Sequence, residues 1–75
     1  MRALVYVRTA AGKALGIADK IRKVKGVSEV YATTGRFDLV VLVEAEDVKK
    51  LGETVVNGIQ KVGGVQSTET ALIVE

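Results

Sequence analysis

The sequence contains no cysteine, no histidine, no proline and no tryptophan. The absence of cysteine excludes disulfides and thiolate metal sites, and the joint absence of cysteine and histidine excludes the nucleophile–base pairs of Ser-His-Asp and Cys-His enzymes. We therefore expect no metal site and no cofactor. A chain this small that lacks disulfides needs another source of stability, and oligomerisation is the one we expect.

Length and composition indicate one globular domain, which we assign to residues 1–75. Hydrophobic residues make up 48% of the chain and charged residues 27%, as is usual for a folded protein. The formal net charge of +2 is too small to indicate binding to nucleic acid. No apolar run reaches the roughly 18 residues needed to span a bilayer, and no signal-peptide core follows the first residues. We expect a cytoplasmic protein with no membrane partner.

The hydrophobic periodicity predicts six elements in the order βαββαβ. Alternating, β-branched runs predict strands over residues 2–8, 27–34, 37–44 and 65–74, and helical spacing predicts helices over 10–25 and 48–62. Gly26 is expected to stop the first helix in a left-handed conformation, and Asp47 to cap the second. Gly35-Arg36 has the spacing of a short hairpin turn. Together these elements fit a ferredoxin-like α+β fold, a four-stranded antiparallel sheet with both helices on one face.

Both faces of the predicted sheet carry apolar residues. In the third strand, Phe37, Leu39, Val41 and Val43 share one face, and we expect the helices to cover it. The same alternation places a second apolar patch, bounded by charge, on the opposite face: Leu4, Tyr6, Tyr31, Val40 and Leu42. Each such side chain contributes roughly 1.5–3 kcal/mol when buried, so we expect sheet-to-sheet dimerisation into a dimeric α/β-barrel. A tolerated exposed patch is the alternative.

Two clusters of charge are interpreted as surface features. Glu44, Glu46 and Asp47 precede the second predicted helix, where carboxylates complement the helix dipole, and we favour this explanation over a metal site. Basic residues dominate the first predicted helix, where Asp19 is expected to pair with Lys23. No aromatic residues are interleaved with these cations, so that helix offers no stacking platform for single-stranded nucleic acid.

The predicted hairpin between the second and third strands combines hydroxyls, a glycine and an acid. Asp38 can meet an ammonium group, while the backbone amides around Gly35, helped by Thr33 and Thr34, can meet a carboxylate. These residues therefore suit a zwitterion. The alternative is a purely structural turn in which Asp38 pairs with a nearby arginine, either Arg36 or Arg8.

Three stretches resemble the effector-binding (RAM) domain of the leucine-responsive Lrp/AsnC transcriptional regulators. They are Gly26-Val27, Thr34-Gly35-Arg36-Phe37-Asp38-Leu39-Val40-Val41 and Gly63-Gly64-Val65-Gln66-Ser67-Thr68-Glu69-Thr70. The likeness covers the whole chain, but the amino-terminal helix-turn-helix usual in that family is missing. The resemblance therefore implies a stand-alone domain without a DNA-binding half.

The resemblance also implies sheet-to-sheet dimers that assemble into tetramers or octamers, with amino-acid effectors bound between dimers near the hairpin. By position it assigns ligand binding to Thr33, Thr34, Gly35, Arg36 and Asp38, and more weakly to Ser67, Thr68 and Thr70. The function we expect is a non-enzymatic, amino-acid-binding homo-oligomer in transcriptional regulation. It would act on full-length Lrp/AsnC regulators through mixed assemblies, with no specific DNA binding of its own.

Two other classes of function remain open from the sequence. One is a small enzyme of the dimeric α/β-barrel type, in which Asp38 or a glutamate with a raised pKa would have to serve as general base. The other is a structural subunit that only mediates association.

Overall fold

Four strands and two helices follow one another in the order β-α-β-β-α-β in the computed structural model, which describes all 75 residues. The elements are β1 (Arg2–Thr9), α1 (Ala14–Ile21), β2 (Val27–Ala32), β3 (Leu39–Glu44), α2 (Val48–Glu53) and β4 (Val65–Ile73). After α2 the chain continues through a π-helical turn, Thr54–Gly58, and a 3₁₀ turn, Ile59–Lys61. The ferredoxin-like fold predicted from the sequence is confirmed.

The sheet has the strand order β2-β3-β1-β4, and all neighbouring strands are antiparallel. β1 lies at the centre, where Val5 is opposite Val41 of β3 and Thr70 of β4. β2 and β4 are the edge strands. Because β1 and β3 run in opposite directions, the loop between β2 and β3 lies at the same end of the sheet as the last residues of β1.

One apolar core lies between the sheet and the helices. It contains 13 buried residues: Ala3, Val5, Val7, Ile17, Ala18, Ile21, Val30, Leu39, Val41, Val43, Leu51, Val55 and Ile59. Leu39, Val41 and Val43 are completely buried, so the prediction that this side of β3 lies beneath the helices is confirmed for them. It is wrong for Phe37, which precedes β3 and is only half-buried.

The helix ends agree with the sequence prediction in part. The helix predicted over residues 10–25 spans only Ala14–Ile21, and a turn follows it. Gly26 has a φ of +99°, the left-handed conformation that was expected for it. The predicted cap of α2 is confirmed, since an Asp47 carboxylate oxygen accepts a 2.8 Å hydrogen bond from the Lys50 amide.

The surface of α1 carries an ion pair at its carboxyl end. Asp19 pairs with Arg22, with 2.7 Å between carboxylate oxygen and guanidinium nitrogen, so the expected pair with Lys23 is wrong. Residues at i,i+3 spacing are also neighbours on a helix surface, and here Asp19 pairs at that spacing rather than at i,i+4. None of the helices is both long enough and apolar enough to cross a membrane.

Candidate functional site

The loop between β2 and β3 forms a small projection at one end of the sheet. The Thr33 amide donates a 2.9 Å hydrogen bond to the Asp38 carbonyl, which closes the loop, and the Thr33 hydroxyl donates to the Phe37 carbonyl at 3.1 Å. Gly35 has a φ of +100°, a conformation that side-chain-bearing residues rarely adopt. The projecting turn therefore has four residues, 34–37, rather than the two that the sequence suggested.

Asp38 joins this loop to the central strand. Its amide donates to the Val7 carbonyl at 2.9 Å, and its Oδ2 accepts a 2.8 Å hydrogen bond from the amide of the buried Thr9. It forms no ion pair with Arg8 or Arg36, so the alternative of an arginine partner is not realised. One carboxylate oxygen is thus committed to the fold, and Oδ1 has no partner within the chain.

The tip of the loop offers hydrogen-bond donors that the protein itself does not use. The amides of Thr34, Gly35, Arg36 and Phe37 donate to no acceptor within the chain. The hydroxyl of Thr34 likewise makes no hydrogen bond. Exposed backbone amides of a turn are donors suited to an anionic group.

Phe37 contributes an aromatic cluster that the sequence prediction missed. Its ring centroid lies 5.2 Å from that of Tyr6, which points to the outer face of the sheet, away from the helices. The guanidinium carbon of Arg8 lies 5.5 Å from the centre of the Phe37 ring, and that of Arg36 lies 6.0 Å from it. We call Arg8, Arg36 and Phe37 the arginine–phenylalanine cluster. Arg8 could have been found from sequence, because it shares the alternation of Tyr6.

The candidate residues of β4 lie on two opposite faces of the sheet. Ser67 is opposite Arg8 in the register and shares its outer face, whereas Thr68 is opposite the buried Val7 and faces the helices. The Thr68 hydroxyl accepts a 2.8 Å hydrogen bond from the Gln60 side-chain amide. Thr70, opposite Val5, also faces the helices. Ser67 is therefore the β4 residue that shares a surface with the arginine–phenylalanine cluster.

The chain matches a known family of protein domains. A family model described as the Lrp/AsnC ligand binding domain matches residues 2–75. The chain belongs to the Lrp/AsnC family. The match confirms the resemblance to this domain of transcriptional regulators that was predicted from the sequence, and it covers nearly the whole chain.

Three known proteins are similar to this Lrp/AsnC domain. The HTH-type transcriptional regulator FL11 of Pyrococcus abyssi is 29% identical over 75 residues, 100% of this chain and 49% of the regulator. The crystal structure of TTHA0845 from Thermus thermophilus has 36% identity and a TM-score of 0.91, and the match covers 99% of this chain and 92% of that one. The transcriptional regulator NMB0573 of Neisseria meningitidis, solved as a complex with L-Met, shares the fold with a TM-score of 0.86 at 22% identity, covering 99% of this chain and 49% of the regulator.

The chain therefore spans about half the length of the curated relatives it matches, such as FL11 and the regulator LysM of Sulfurisphaera tokodaii, of which it covers 52%. The Thermus structure is of nearly the same extent as this chain. The matches therefore include both regulators about twice as long as this chain and a protein chain of about its size.

Two cavities of this Lrp/AsnC domain lie away from the loop. One, of about 650 Å³, is lined by Lys25, Glu44 and Glu53 among others and opens between the end of β3 and α2. The other, of about 410 Å³, lies between α2 and β4 and includes Thr68 and Thr70. Nowhere do three or more acidic side chains come together in a group that could hold a metal ion. The residues of the loop line neither cavity, so within this chain the loop offers a ligand one exposed surface.

Proposed function

We propose that this Lrp/AsnC domain is a non-enzymatic module that binds an amino acid and oligomerises in the service of transcriptional regulation. The observation that carries the proposal is the loop itself, where the amides of residues 34–37 have no acceptor and the next residue, Asp38, keeps one carboxylate oxygen free. The amides suit an α-carboxylate, and Oδ1 of Asp38 suits an ammonium group. Thr33 orders the loop through its hydroxyl, and Thr34 is left to face a ligand.

The relatives support a ligand of this class. The Neisseria regulator was solved with L-Met, an amino acid, and it has the fold of this chain. The FL11 and LysM relatives are named HTH-type transcriptional regulators and are about twice as long as the matched region. In the mixed assemblies that we propose, the full-length regulators supply specific DNA recognition, and this cytoplasmic module supplies the β-α-β-β-α-β ligand-binding fold.

Sheet-to-sheet dimerisation is the second part of the proposal. Leu4, Tyr6, Val40 and Leu42 form a partly exposed apolar band on the outer face, and Tyr31 at its side is exposed. Covering this band would remove from water the apolar surface that a small domain without disulfides most needs to bury. Further association of dimers into tetramers or octamers would supply the second wall that the loop site lacks.

A thermal-shift screen of the twenty amino acids, followed by calorimetry of those that stabilise the protein, tests this function. A ligand at 100 times its dissociation constant should add about 2.7 kcal/mol to the free energy of unfolding. Stabilisation by none of the twenty would contradict amino-acid binding and leave an association subunit. Chemical conversion of a screened compound would contradict the non-enzymatic assignment.

The Asp38→Asn variant tests the loop as the binding site. The amide oxygen of asparagine can still accept from Thr9, while the charge that meets an ammonium is removed. We expect affinity for the effector to fall about 10-fold to 150-fold, the range for loss of a charge-assisted hydrogen bond. Asp47→Asn, a matched change at the cap of α2, should leave affinity unchanged. Equal affinity of the Asp38→Asn variant and the wild type would remove Asp38 from the site.

A further inference from the structure

We propose that the loop site selects an amino acid with a second carboxylate, and that Arg8 and Arg36 bind that second carboxylate. The inference rests on the proposed function and deepens it by naming the ligand class. The observation behind it is the arginine–phenylalanine cluster, in which two guanidinium groups from different parts of the chain lie against one ring.

The two guanidinium groups lie near the Phe37 ring but have no anionic partner. Arg8 is fixed to β1 and Arg36 to the loop, and Phe37, which both contact, is itself packed against Tyr6. Neither arginine side chain forms an ion pair or donates a hydrogen bond within the chain. Arg22 differs, since it donates to the Asp19 carboxylate and to the Val30 carbonyl. A guanidinium stacked on an aromatic ring keeps its edge donors free for a planar, bidentate contact with a carboxylate.

The charges around the loop favour a ligand of net charge −1. Arg8 and Arg36 are cationic and Asp38 is the one acid in the loop. Glu69 lies opposite Tyr6 on the same outer face but forms no ion pair with either arginine, so the loop and its two arginines carry an excess of one positive charge. An amino acid with an acidic side chain carries one ammonium and two carboxylates at neutral pH. Its α-carboxylate suits the free amides, its ammonium suits Oδ1 of Asp38, and its second carboxylate suits the guanidinium groups. A basic amino acid would instead place its cationic side chain beside the two guanidinium groups, which would repel it.

Calorimetry with matched pairs of ligands tests the inference on the unmodified protein. L-Glutamate is compared with L-glutamine, and L-aspartate with L-asparagine, because each pair differs in charge but hardly in shape. We expect at least one acid to bind 10-fold or more tightly than its amide. Equal or tighter binding of the amides would overturn the inference while leaving amino-acid binding intact.

Variants then assign the preference to the two arginines. Arg8→Gln and Arg36→Gln should each weaken binding of the acid about 10-fold to 150-fold and bring it close to that of the amide. Arg2→Gln is the control, because Arg2 is an exposed arginine of the same strand as Arg8 and forms neither an ion pair nor a cation–π contact. Circular dichroism verifies the fold of each variant. If the preference for the acid over its amide survives in both Arg8→Gln and Arg36→Gln, the assignment of the second carboxylate to these arginines is overturned.

Two further ligands separate this inference from the proposed function. Binding of glutarate or succinate without binding of any amino acid would support the dicarboxylate preference and contradict amino-acid sensing. If glutarate, succinate, L-glutamate and L-aspartate all fail to bind at millimolar concentration, the inference is overturned. Binding of a single-stranded oligothymidylate in their place, lost in Arg8→Gln, would show that the cluster is a stacking surface for bases and would overturn it as well.

Discussion

Val41 and Leu42 are neighbours in β3, yet Val41 is completely buried beneath the helices while Leu42 is partly exposed on the outer face. The same contrast is found in β1, where Val5 and Val7 are completely buried and Tyr6, which lies between them in the sequence, is partly exposed. Both faces carry apolar residues at strand spacing, but the chain has helices enough to cover only one of them. Alternation therefore shows which residues share a face, and the helices decide which face is closed within the chain.

The largest expected effect comes from placing a charge on the outer face. Leu42→Lys should weaken dimerisation by about 3–5 kcal/mol for each buried ammonium, because an uncompensated charge would be held against apolar neighbours. Sedimentation at micromolar concentration measures the result. Leu15→Lys is the matched control, since Leu15 is 73% exposed on α1 and should tolerate the same change. A wild type that is monomeric, or a Leu42→Lys variant that associates as the wild type does, would contradict the sheet-to-sheet dimer.

A truncation on the helix face should act on folding rather than on association. Leu39→Ala removes a completely buried side chain from the core and should lower the free energy of unfolding by about 2–5 kcal/mol. Leu15→Ala should change it by less than about 0.5 kcal/mol. Urea denaturation provides both values. A similar small change in both variants would show that the core is not the main source of stability.

Asp38→Ala tests the junction between the loop and the central strand. Thr9 is buried, and without the carboxylate its amide loses its acceptor, so we expect a loss of about 1.5–3 kcal/mol in the free energy of unfolding. Asp38→Asn, which keeps an acceptor oxygen, should lose less. If both variants unfold at the urea concentration of the wild type, the contact between Asp38 and Thr9 does not stabilise the fold.

The order of elements could be predicted because each strand and helix carries its own periodicity. The bounds of α1 could not, since Val24 continues the apolar spacing although it lies beyond the helix. There the amides of Lys23 and Val24 bond three residues back, to Lys20 and Ile21, which makes a tighter turn than an α-helix. Side-chain spacing does not distinguish these two patterns of backbone hydrogen bonds.

The loop could also be found from sequence, because Gly35 and the threonines are typical turn residues and Asp38 interrupts an apolar strand. The structural role of Asp38 could not be predicted from sequence, since its partner Thr9 lies 29 positions away and comes near only once β1 and β3 pair. Phe37 was assigned to the wrong face for a related reason. Strand alternation begins at Leu39, and a residue ahead of it is free to turn toward Tyr6.

The smallest expected effects come from Ser67 and Thr68, adjacent residues of β4 that lie on opposite faces of the sheet. Ser67 shares the outer face with Arg8, so Ser67→Ala should weaken effector binding about 2-fold to 10-fold through loss of one hydrogen bond, with little change in stability. Thr68→Val instead removes the contact with Gln60 on the helix side, and we expect a loss of about 0.5–1.5 kcal/mol in stability with affinity unchanged. Calorimetry and urea denaturation of the two variants give the comparison. If Thr68→Val weakens effector binding and Ser67→Ala does not, the ligand approaches β4 from the side of the helices, and the cavity between α2 and β4 becomes the better candidate for the site.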